Sequence, residues 1–145
     1  MPVTYVTENV RLPRQFKRRL HTQWIQHIVQ KHGSEVKAIS FIFCNDERIL
    51  EINRQYLKHD YYTDVITFDY SENHQLSGDI FISLETVKSN TSQYKTYYEE
   101  ELRRVMIHGV LHLCGLQDKT LTEKKKMKKE EGEALLTFQD LTLKI

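Results

Sequence analysis

The pattern of apolar and polar positions divides the chain into short strands and amphipathic helices. Residues 3–10 are rich in valine, threonine and tyrosine and predict a strand, and the apolar run at 38–44 predicts a second, buried strand. Between them, apolar residues recur every four positions, which indicates a helix with Pro13 in its first turn and Gly33 at its end. Its predicted inner face consists of Phe16, Leu20, Trp24 and Ile28.

A second helix is predicted directly after the second strand. Asn45 is its expected N-cap, because a short polar side chain there can accept a hydrogen bond from the first turn. The predicted inner face consists of Ile49, Ile52, Tyr56 and Leu57. Residues 63–70 and 78–84 predict two further strands, and the short turn at 71–75 indicates that they pair antiparallel.

Three helices are predicted in the second half of the chain. Residues 84–94 are helical in pattern, and two capping-box pairs mark later helix starts. Thr96 with Glu99 predicts a helix that ends at Gly115, and Thr120 with Glu123 predicts a Lys/Glu-rich helix that reaches about residue 138. This order predicts an α+β fold, in which helices pack on a small mixed β-sheet of about four strands. No linker or repeat interrupts it, so residues 1–145 are expected to form a single domain.

Composition narrows the class of protein. The chain has 145 residues with 21 basic and 20 acidic side chains, so its formal net charge of +1 gives no overall indication of a nucleic-acid partner. No apolar run approaches the roughly 20 residues that span a bilayer, and no signal-peptide core is present. Cys44 and Cys114, the two cysteines, are expected to be reduced core residues. We therefore expect a cytoplasmic protein with no membrane partner.

The helix predicted before Gly115 contains the candidate metal ligands. It is apolar around nearly its whole circumference, which predicts burial, except for a stripe that contains Glu101, Arg104, His108 and His112. The two histidines lie one turn apart, so both imidazoles can reach one metal ion. After the turn at Gly115, Asp118 is the candidate third ligand. Cys114 points away from the stripe and is excluded as a ligand.

This spacing predicts a centre with one Zn²⁺ per chain, in which three protein ligands leave a fourth position for an activated water. The alternatives remain open at this point. The two histidines are also compatible with a metal-free pair in the core, and Asp118 with a capping or loop residue. The ligand spacing matches the extended HExxHxxGxxH motif of zinc peptidases, but Gly109 stands where those enzymes have their general base. This argues against a peptidase.

Three segments resemble one known family. HGVLHLCGLQD at 108–118 resembles the HGxLHLxGYDH signature of the YbeY family, metal-dependent endoribonucleases of bacterial rRNA maturation. INRQYLKHDYYTDVITFDY at 52–70 is similar to the family's LNxxYRxxDxPTDVLSF region, and LSGDIFIS at 76–83 to its LGDIxIS strand. The resemblance implies that His108 and His112 are metal ligands and that Asp118 replaces a third histidine.

The resemblance also implies a function. We expect a single-strand-specific endoribonuclease that acts on the 3′ end of small-subunit rRNA and in ribosome quality control, through zinc-activated water. Its partners would be the rRNA precursor and the small ribosomal subunit, and a monomer is favoured. The alternatives are a ribosome-associated assembly factor with a mainly structural metal, and a different zinc hydrolase. The assembly factor is favoured by Leu57, which stands where the family has a functionally important arginine. Arg104 or Lys58 could supply that charge, although a plain solvated lysine is the favoured interpretation of Lys58.

RNA binding by a nearly neutral chain requires a local cationic cluster. The favoured cluster consists of Arg14, Lys17, Arg18 and Arg19. A second cluster, Lys124, Lys125, Lys126, Lys128 and Lys129, is interleaved with glutamates and is also typical of a plain solvated helix face. Tyr61 and Tyr62 could stack on an unpaired base, or pack within the protein.

Overall fold

A computed structural model describes residues 1–57 and 64–143 of the chain. The four strands are β1 (Val3–Thr7), β2 (Glu35–Cys44), β3 (Val65–Asp69) and β4 (Gln75–Ser83). The α-helices are α1 (Arg18–Lys31), α2 (Asp46–Ile52), α3 (Leu84–Tyr94), α4 (Tyr98–Leu113) and α5 (Leu121–Leu143). A π-helical segment, Asn53–Leu57, continues α2.

The strands form one mixed sheet in the order β1-β2-β4-β3. The pairs β1–β2 and β2–β4 are parallel, and β3 pairs antiparallel with β4. The α+β class, the mixed four-stranded sheet and the antiparallel pair are therefore confirmed. Parallel neighbours need long crossover connections, which α1 supplies between β1 and β2.

Helix α4 lies at the centre of the molecule. It packs on β3 and β4 and against α3, α5 and α1. Its apolar side chains are almost completely buried, as the circular apolar pattern predicts. They are Leu102, Val105, Met106, Ile107, Val110, Leu111 and Leu113. Since His108 and His112 lie on this same helix, the packed core fixes their backbone directly.

The first strand and first helix are shorter than predicted. β1 ends at Thr7 rather than at residue 10, because Asn9 takes a left-handed conformation with φ of 58°, which does not continue the extended backbone. α1 begins at Arg18, so Pro13 does not belong to its first turn. Instead, the carbonyl of Pro13 accepts a hydrogen bond of 3.0 Å from the Phe16 amide in a separate turn. Phe16 still packs on the core, stacked on His21.

The boundaries of the other strands also shift. β2 begins at Glu35, three residues before the predicted start, and β4 begins at Gln75 rather than at residue 78. Glu35 and Gln75 pair with each other in the parallel register. The pairing of the two strands therefore continues beyond the apolar run of each. β3 occupies residues 65–69, and the predicted start at residue 63 lies outside the described residues.

The second helix is only partly as predicted. Asn45 caps it, since its Oδ1 accepts a hydrogen bond of 2.9 Å from the Arg48 amide, and Ile49 and Ile52 are buried. Tyr56 was expected on the inner face, and this prediction is wrong because the side chain is 60% exposed. The helix widens into a π-helix at Asn53, which adds about one residue per turn, and the Tyr56 ring keeps an edge contact with Phe68 at a centroid distance of 5.9 Å. The Leu57 side chain lies outside the described part of the structure.

The two capping boxes have different outcomes. Thr120 and Glu123 form a reciprocal pair. The Glu123 amide donates to the Thr120 hydroxyl at 3.1 Å, and the Thr120 amide donates to the Glu123 carboxylate at 2.9 Å. α5 continues to Leu143, past the predicted end near 138. The Thr96–Glu99 box is not formed, because Tyr97 is the N-cap residue of α4 and the Thr96 hydroxyl donates to Glu100 instead.

The remaining composition-based expectations concern cysteines and membrane spans. Cys44 and Cys114 are free thiols, and burial raises the pKa of Cys44 to about 12 and of Cys114 to about 11. Both side chains therefore stay protonated and unreactive near neutral pH. Within residues 1–57 and 64–143, no helix combines the length and apolar character that crossing a membrane requires.

Gly109 is required where α4 crosses the sheet. A Cβ atom at this position would lie 2.8 Å from Cγ2 of the fully buried Ile80 and 3.2 Å from Oγ1 of Thr67. We predict that Gly109→Ala destabilises the protein by about 1–2 kcal/mol, because overpacking outweighs the gain in helix propensity. Urea unfolding measures this free energy.

Gly132 provides a matched control in α5, because a Cβ atom there meets nothing within 4 Å. Gly132→Ala should stabilise the protein by up to about 1 kcal/mol through helix propensity alone. Equal effects of the two substitutions would contradict the close packing of α4 on the sheet.

Candidate metal centre

Three potential metal ligands converge at the C-terminal end of α4. His108 and His112 belong to the helix, and Asp118 follows in the turn beyond it. The Nε2 atoms of the two imidazoles are 3.0 Å apart. Asp118 Oδ2 is 3.3 Å from Nε2 of His108 and 3.4 Å from Nε2 of His112. These atoms form a nearly equilateral triangle, the arrangement in which a single ion can contact all three.

Gly115 turns the chain so that Asp118 reaches the helix end. Its φ of 101° lies in the left-handed region, which glycine adopts without the steric cost of a Cβ atom. The Gly115 amide donates to the carbonyl of His112, and the Leu116 amide donates to the carbonyl of Leu111, both at 3.0 Å. The turn thereby satisfies the last carbonyls of α4 and returns the following residues towards His112.

A backbone carbonyl determines the tautomer of neutral His112. Its Nδ1 lies 2.9 Å from the carbonyl oxygen of Leu116. Because a carbonyl oxygen only accepts hydrogen bonds, Nδ1 carries the proton and the lone pair is on Nε2. That lone pair is directed at His108 and Asp118.

A buried carboxylate orients His108 in the same sense. Glu131 of α5 places Oε2 2.6 Å from His108 Nδ1. Nδ1 therefore donates, which leaves Nε2 as the ligand atom. Burial lowers the pKa of His108, but the hydrogen bond from Nδ1 to Glu131 and the charges of Glu131, Asp118 and Asp64 raise it, and the net shift is upward. The surroundings of His108 thus favour positive charge at this position.

The donor set fits a zinc ion. Two Nε2 lone pairs at 3.0 Å, beside a carboxylate, repel one another unless a proton or a cation lies between them. Ligand atoms in a tetrahedral zinc site with bonds of about 2.0–2.2 Å lie about 3.3–3.6 Å apart, close to the three separations found here. Imidazole nitrogen and carboxylate oxygen are both common zinc ligands. Among the residues that the structure describes, the group of possible metal ligands does not include Cys114.

Arg104 lies one turn before His108 and is surrounded by carboxylates. Its Nε and Nη2 donate to the two oxygens of Glu101 at 2.8 and 2.6 Å. Nη1 donates to Glu131 at 3.3 Å, and Asp64 lies 3.5 Å from Nη2. The hydrogen bonds to Glu101 and the neighbouring carboxylate charges raise the pKa of Arg104 despite its burial. The guanidinium is therefore permanently charged.

A cleft of about 770 Å³ between α3, α4 and α5 opens beside the ligands. Its lining carries five carboxylates against three cationic side chains, so a divalent ion would bring the lining to neutrality. The carboxylates are those of Asp64, Glu100, Glu101, Asp118 and Glu131, and the cations are Arg104, Lys124 and Lys128. Tyr94, which is largely exposed, also lines the cleft.

The residues predicted to bind RNA lie in different places. Arg14, Lys17, Arg18 and Arg19 are exposed, around the start of α1, and none of them is among the residues that line the cleft. Lys124 and Lys128, from the cluster for which a solvated helix face is the favoured interpretation, do line it. Lys58, Tyr61 and Tyr62 fall outside the described residues.

Glu131 and Asp64 are site residues that the sequence reasoning missed. Glu131 had a usable signal, since it lies among the buried residues Met127, Ala134 and Phe138 of α5, at their helical spacing. A glutamate on the apolar stripe of a helix indicates a buried partner. Asp64 lies directly before β3 and had no comparable pattern around it.

Comparison with known proteins decides the family. Residues 4–139 match the sequence profile described as Endoribonuclease YbeY. The chain belongs to the YbeY endoribonuclease family. This confirms the family that the segment at 108–118 indicates.

Individual YbeY relatives are similar along almost their whole length. The Endoribonuclease YbeY of Bacteroides fragilis is 54% identical over 135 residues, which are 93% of this chain and 96% of the relative. That of Bacteroides thetaiotaomicron is 52% identical, over 93% of this chain and 98% of the relative. A protein of Thermotoga maritima, known from a solution structure, has the same fold with a TM-score of 0.62 at 24% identity, over 95% of this chain and 92% of that one.

Metal binding can be tested ligand by ligand. We predict that the purified protein takes up about one zinc ion per chain, and that His112→Ala or Asp118→Ala weakens zinc binding by at least about 100-fold, because two ligands remain. Asp118→His should retain zinc, since a third imidazole offers an equivalent donor. Competition with a chromophoric chelator measures these affinities.

His27→Ala is the control, because His27 is an exposed histidine of α1. Its substitution should leave the affinity unchanged. Equal zinc affinity of the wild-type protein and Asp118→Ala would remove Asp118 from the ligand set.

Proposed function

We propose that this protein is a single-strand-specific, zinc-dependent endoribonuclease that matures the 3′ end of small-subunit rRNA and acts in ribosome quality control. The observation that carries the proposal is the convergence of His108, His112 and Asp118 at an open cleft, in a chain of the YbeY endoribonuclease family. The rRNA precursor and the small ribosomal subunit are the proposed partners. Since ribosomes assemble in the cytoplasm, the protein would act there, as a monomer with one zinc ion.

The proposed ligands are His108, His112 and Asp118, and the Nδ1 partner of each imidazole leaves Nε2 as its ligand atom. When bound, zinc supplies Lewis acidity, which polarises a phosphoryl oxygen and promotes deprotonation of water near neutral pH. The carboxylate of Glu131 and the carbonyl of Leu116 hold the Nδ1 protons. They thereby keep both imidazole rings oriented without occupying a ligand atom.

The cleft residues would bind and orient the RNA. Lys124 and Lys128 can attract the phosphodiester backbone to the side of the cleft that holds the ligands. Arg104 supplies the positive charge for which the resemblance offers no arginine at position 57. It offsets one of the two negative charges of the buried carboxylates Glu101 and Glu131 and so reduces their repulsion of phosphate. Arg14, Lys17, Arg18, Arg19 and Lys58 are proposed as additional contacts for RNA that extends beyond the cleft.

Peptide hydrolysis is disfavoured by the position of residue 109. The peptidase motif requires a carboxylate base there, whereas a side chain at Gly109 would meet Ile80 and Thr67 of the sheet. A ribosome-associated factor with a structural metal remains the second candidate, favoured by Leu57 in place of the arginine. The two candidates differ in a single observable, which is cleavage.

The cleavage test uses His108→Ala. We predict that the wild-type protein with zinc cuts a single-stranded RNA that contains the 3′ region of small-subunit rRNA. His108→Ala should reduce the cleavage rate by at least about 100-fold, since loss of a ligand costs more than loss of an outer partner. Gel analysis of end-labelled RNA measures the rate, and circular dichroism checks the fold.

His27→Ala is again the matched control and should cut at the wild-type rate. A folded, zinc-loaded wild-type protein that binds small-subunit particles but never cuts RNA would favour the assembly factor. Cleavage of peptides rather than RNA would favour a different zinc hydrolase.

RNA binding at the cleft should depend on its two lysines. We predict that Lys124→Gln/Lys128→Gln weakens binding of a short single-stranded RNA by roughly tenfold, with a smaller salt dependence, because two phosphate contacts are lost. Fluorescence anisotropy at several salt concentrations measures both quantities.

The control is Lys125→Gln/Lys129→Gln on the same helix, since these exposed lysines do not line the cleft. It should bind RNA nearly as well as the wild type does. If both double variants lose the same affinity, α5 attracts RNA only through its general charge, and the proposed cleft site is wrong.

A further inference from the structure

We propose that Glu131, held in place by Arg104, is a positioning residue that makes His108 the more strongly donating of the two histidine ligands. The inference rests on the proposed metal-binding function and deepens it. It assigns unequal roles to two histidines that the sequence motif presents as equivalent.

Glu131 connects His108 and Arg104 through its two oxygens. Oε2 lies 2.6 Å from Nδ1 of His108, and Oε1 lies 3.3 Å from Nη1 of Arg104. The carboxylate is 8% exposed. Since each oxygen has its own partner and water is largely excluded, the carboxylate is held in one orientation by hydrogen bonds to both residues.

Arg104 is itself fixed before it meets Glu131. Two of its nitrogens bind the two oxygens of Glu101, three residues earlier on α4, at 2.8 and 2.6 Å. This bidentate pair sets the plane of the guanidinium and directs Nη1 towards α5. Glu131 is therefore anchored to α4 from both sides of its carboxyl group, although it belongs to a different helix.

The buried group carries one excess negative charge. Glu101 and Glu131 are both buried and contribute two negative charges, and Arg104 offsets one of them. An uncompensated charge in such a place is costly unless positive charge lies nearby. Because His108 is in direct contact with Glu131, a cation held at His108 Nε2 balances the group. The excess charge thus favours metal binding through this imidazole.

His112 lacks such support. The partner of its Nδ1 is the carbonyl of Leu116, which orients the ring but carries no net charge. A carboxylate that accepts the Nδ1 proton increases the basicity of the other ring nitrogen more than a neutral carbonyl does. The two imidazoles are accordingly predicted to bind the same ion with unequal strength, with His108 the stronger ligand.

Zinc affinity of Glu131→Gln tests the proposal. The amide can still accept the Nδ1 hydrogen bond but has lost the charge, so we expect zinc binding 10–100-fold weaker by chelator competition. Glu130→Gln is the matched control, because the neighbouring Glu130 instead contacts His32, the C-cap residue of α1, at 3.6 Å. It should bind zinc with wild-type affinity. Binding by Glu131→Gln within about twofold of the wild type would overturn the proposal.

A second readout separates positioning from a general loss of structure. In the zinc-loaded wild type, the Nδ1 proton of His108 should give an exchange-protected, strongly downfield NMR signal, which Glu131→Gln shifts upfield while the His112 signal stays in place. Glu131→Asp provides the second variant. Its side chain retains the charge but is one methylene group shorter, so the carboxylate lies farther from His108 and the zinc affinity should be intermediate. A zinc affinity for Glu131→Asp equal to that of Glu131→Gln, or unchanged His108 signals in both, would count against the proposal.

The outcome is distinguishable from failure of the proposed function. If the wild-type protein binds no zinc, the metal-dependent function fails. If the wild type and Glu131→Gln bind zinc equally well, only the positioning role fails.

Discussion

The structure depends on a helix that is buried on nearly all sides and yet carries a polar stripe. α4 packs on the sheet and against three other helices, and Gly109 permits the close approach to β4. Polar groups in such surroundings must be paired, and the stripe is paired along its length. Arg104 donates hydrogen bonds to Glu101 on the same helix. Glu131 of α5 accepts hydrogen bonds from both Arg104 and His108. The Leu116 carbonyl accepts a hydrogen bond from His112. The two Nε2 atoms that remain face each other and Asp118, and this leaves a site for a cation.

Much of this could be predicted from the sequence because it follows from local patterns. The circular apolar pattern of 97–115 predicts a buried helix, the stripe places both histidines on one side, and Gly115 predicts the turn that returns Asp118. Short-range hydrogen-bond motifs also transfer well where they are complete, as with Asn45 and the Thr120–Glu123 pair.

The failures have physical causes that a local pattern does not contain. The capping box of Thr96 and Glu99 does not form, because the Thr96 hydroxyl donates to Glu100 instead. Tyr56 is largely exposed where α2 widens into a π-helix, a change of period with no marker in the sequence. The missed site residues share one property, which is that their partners are remote in sequence. Glu131 is 23 residues from His108, and only the packing of α5 against α4 brings them together.

The most direct test of the account is anomalous diffraction at the zinc edge from crystals of the zinc-loaded protein. The account predicts one anomalous peak per chain, within about 2.0–2.2 Å of His108 Nε2, His112 Nε2 and an oxygen of Asp118. Glu131 should lie outside the ligand set, against His108 Nδ1. A peak at another site, or a bound ion from which Asp118 is turned away, would contradict the central claim that these three side chains form the metal centre.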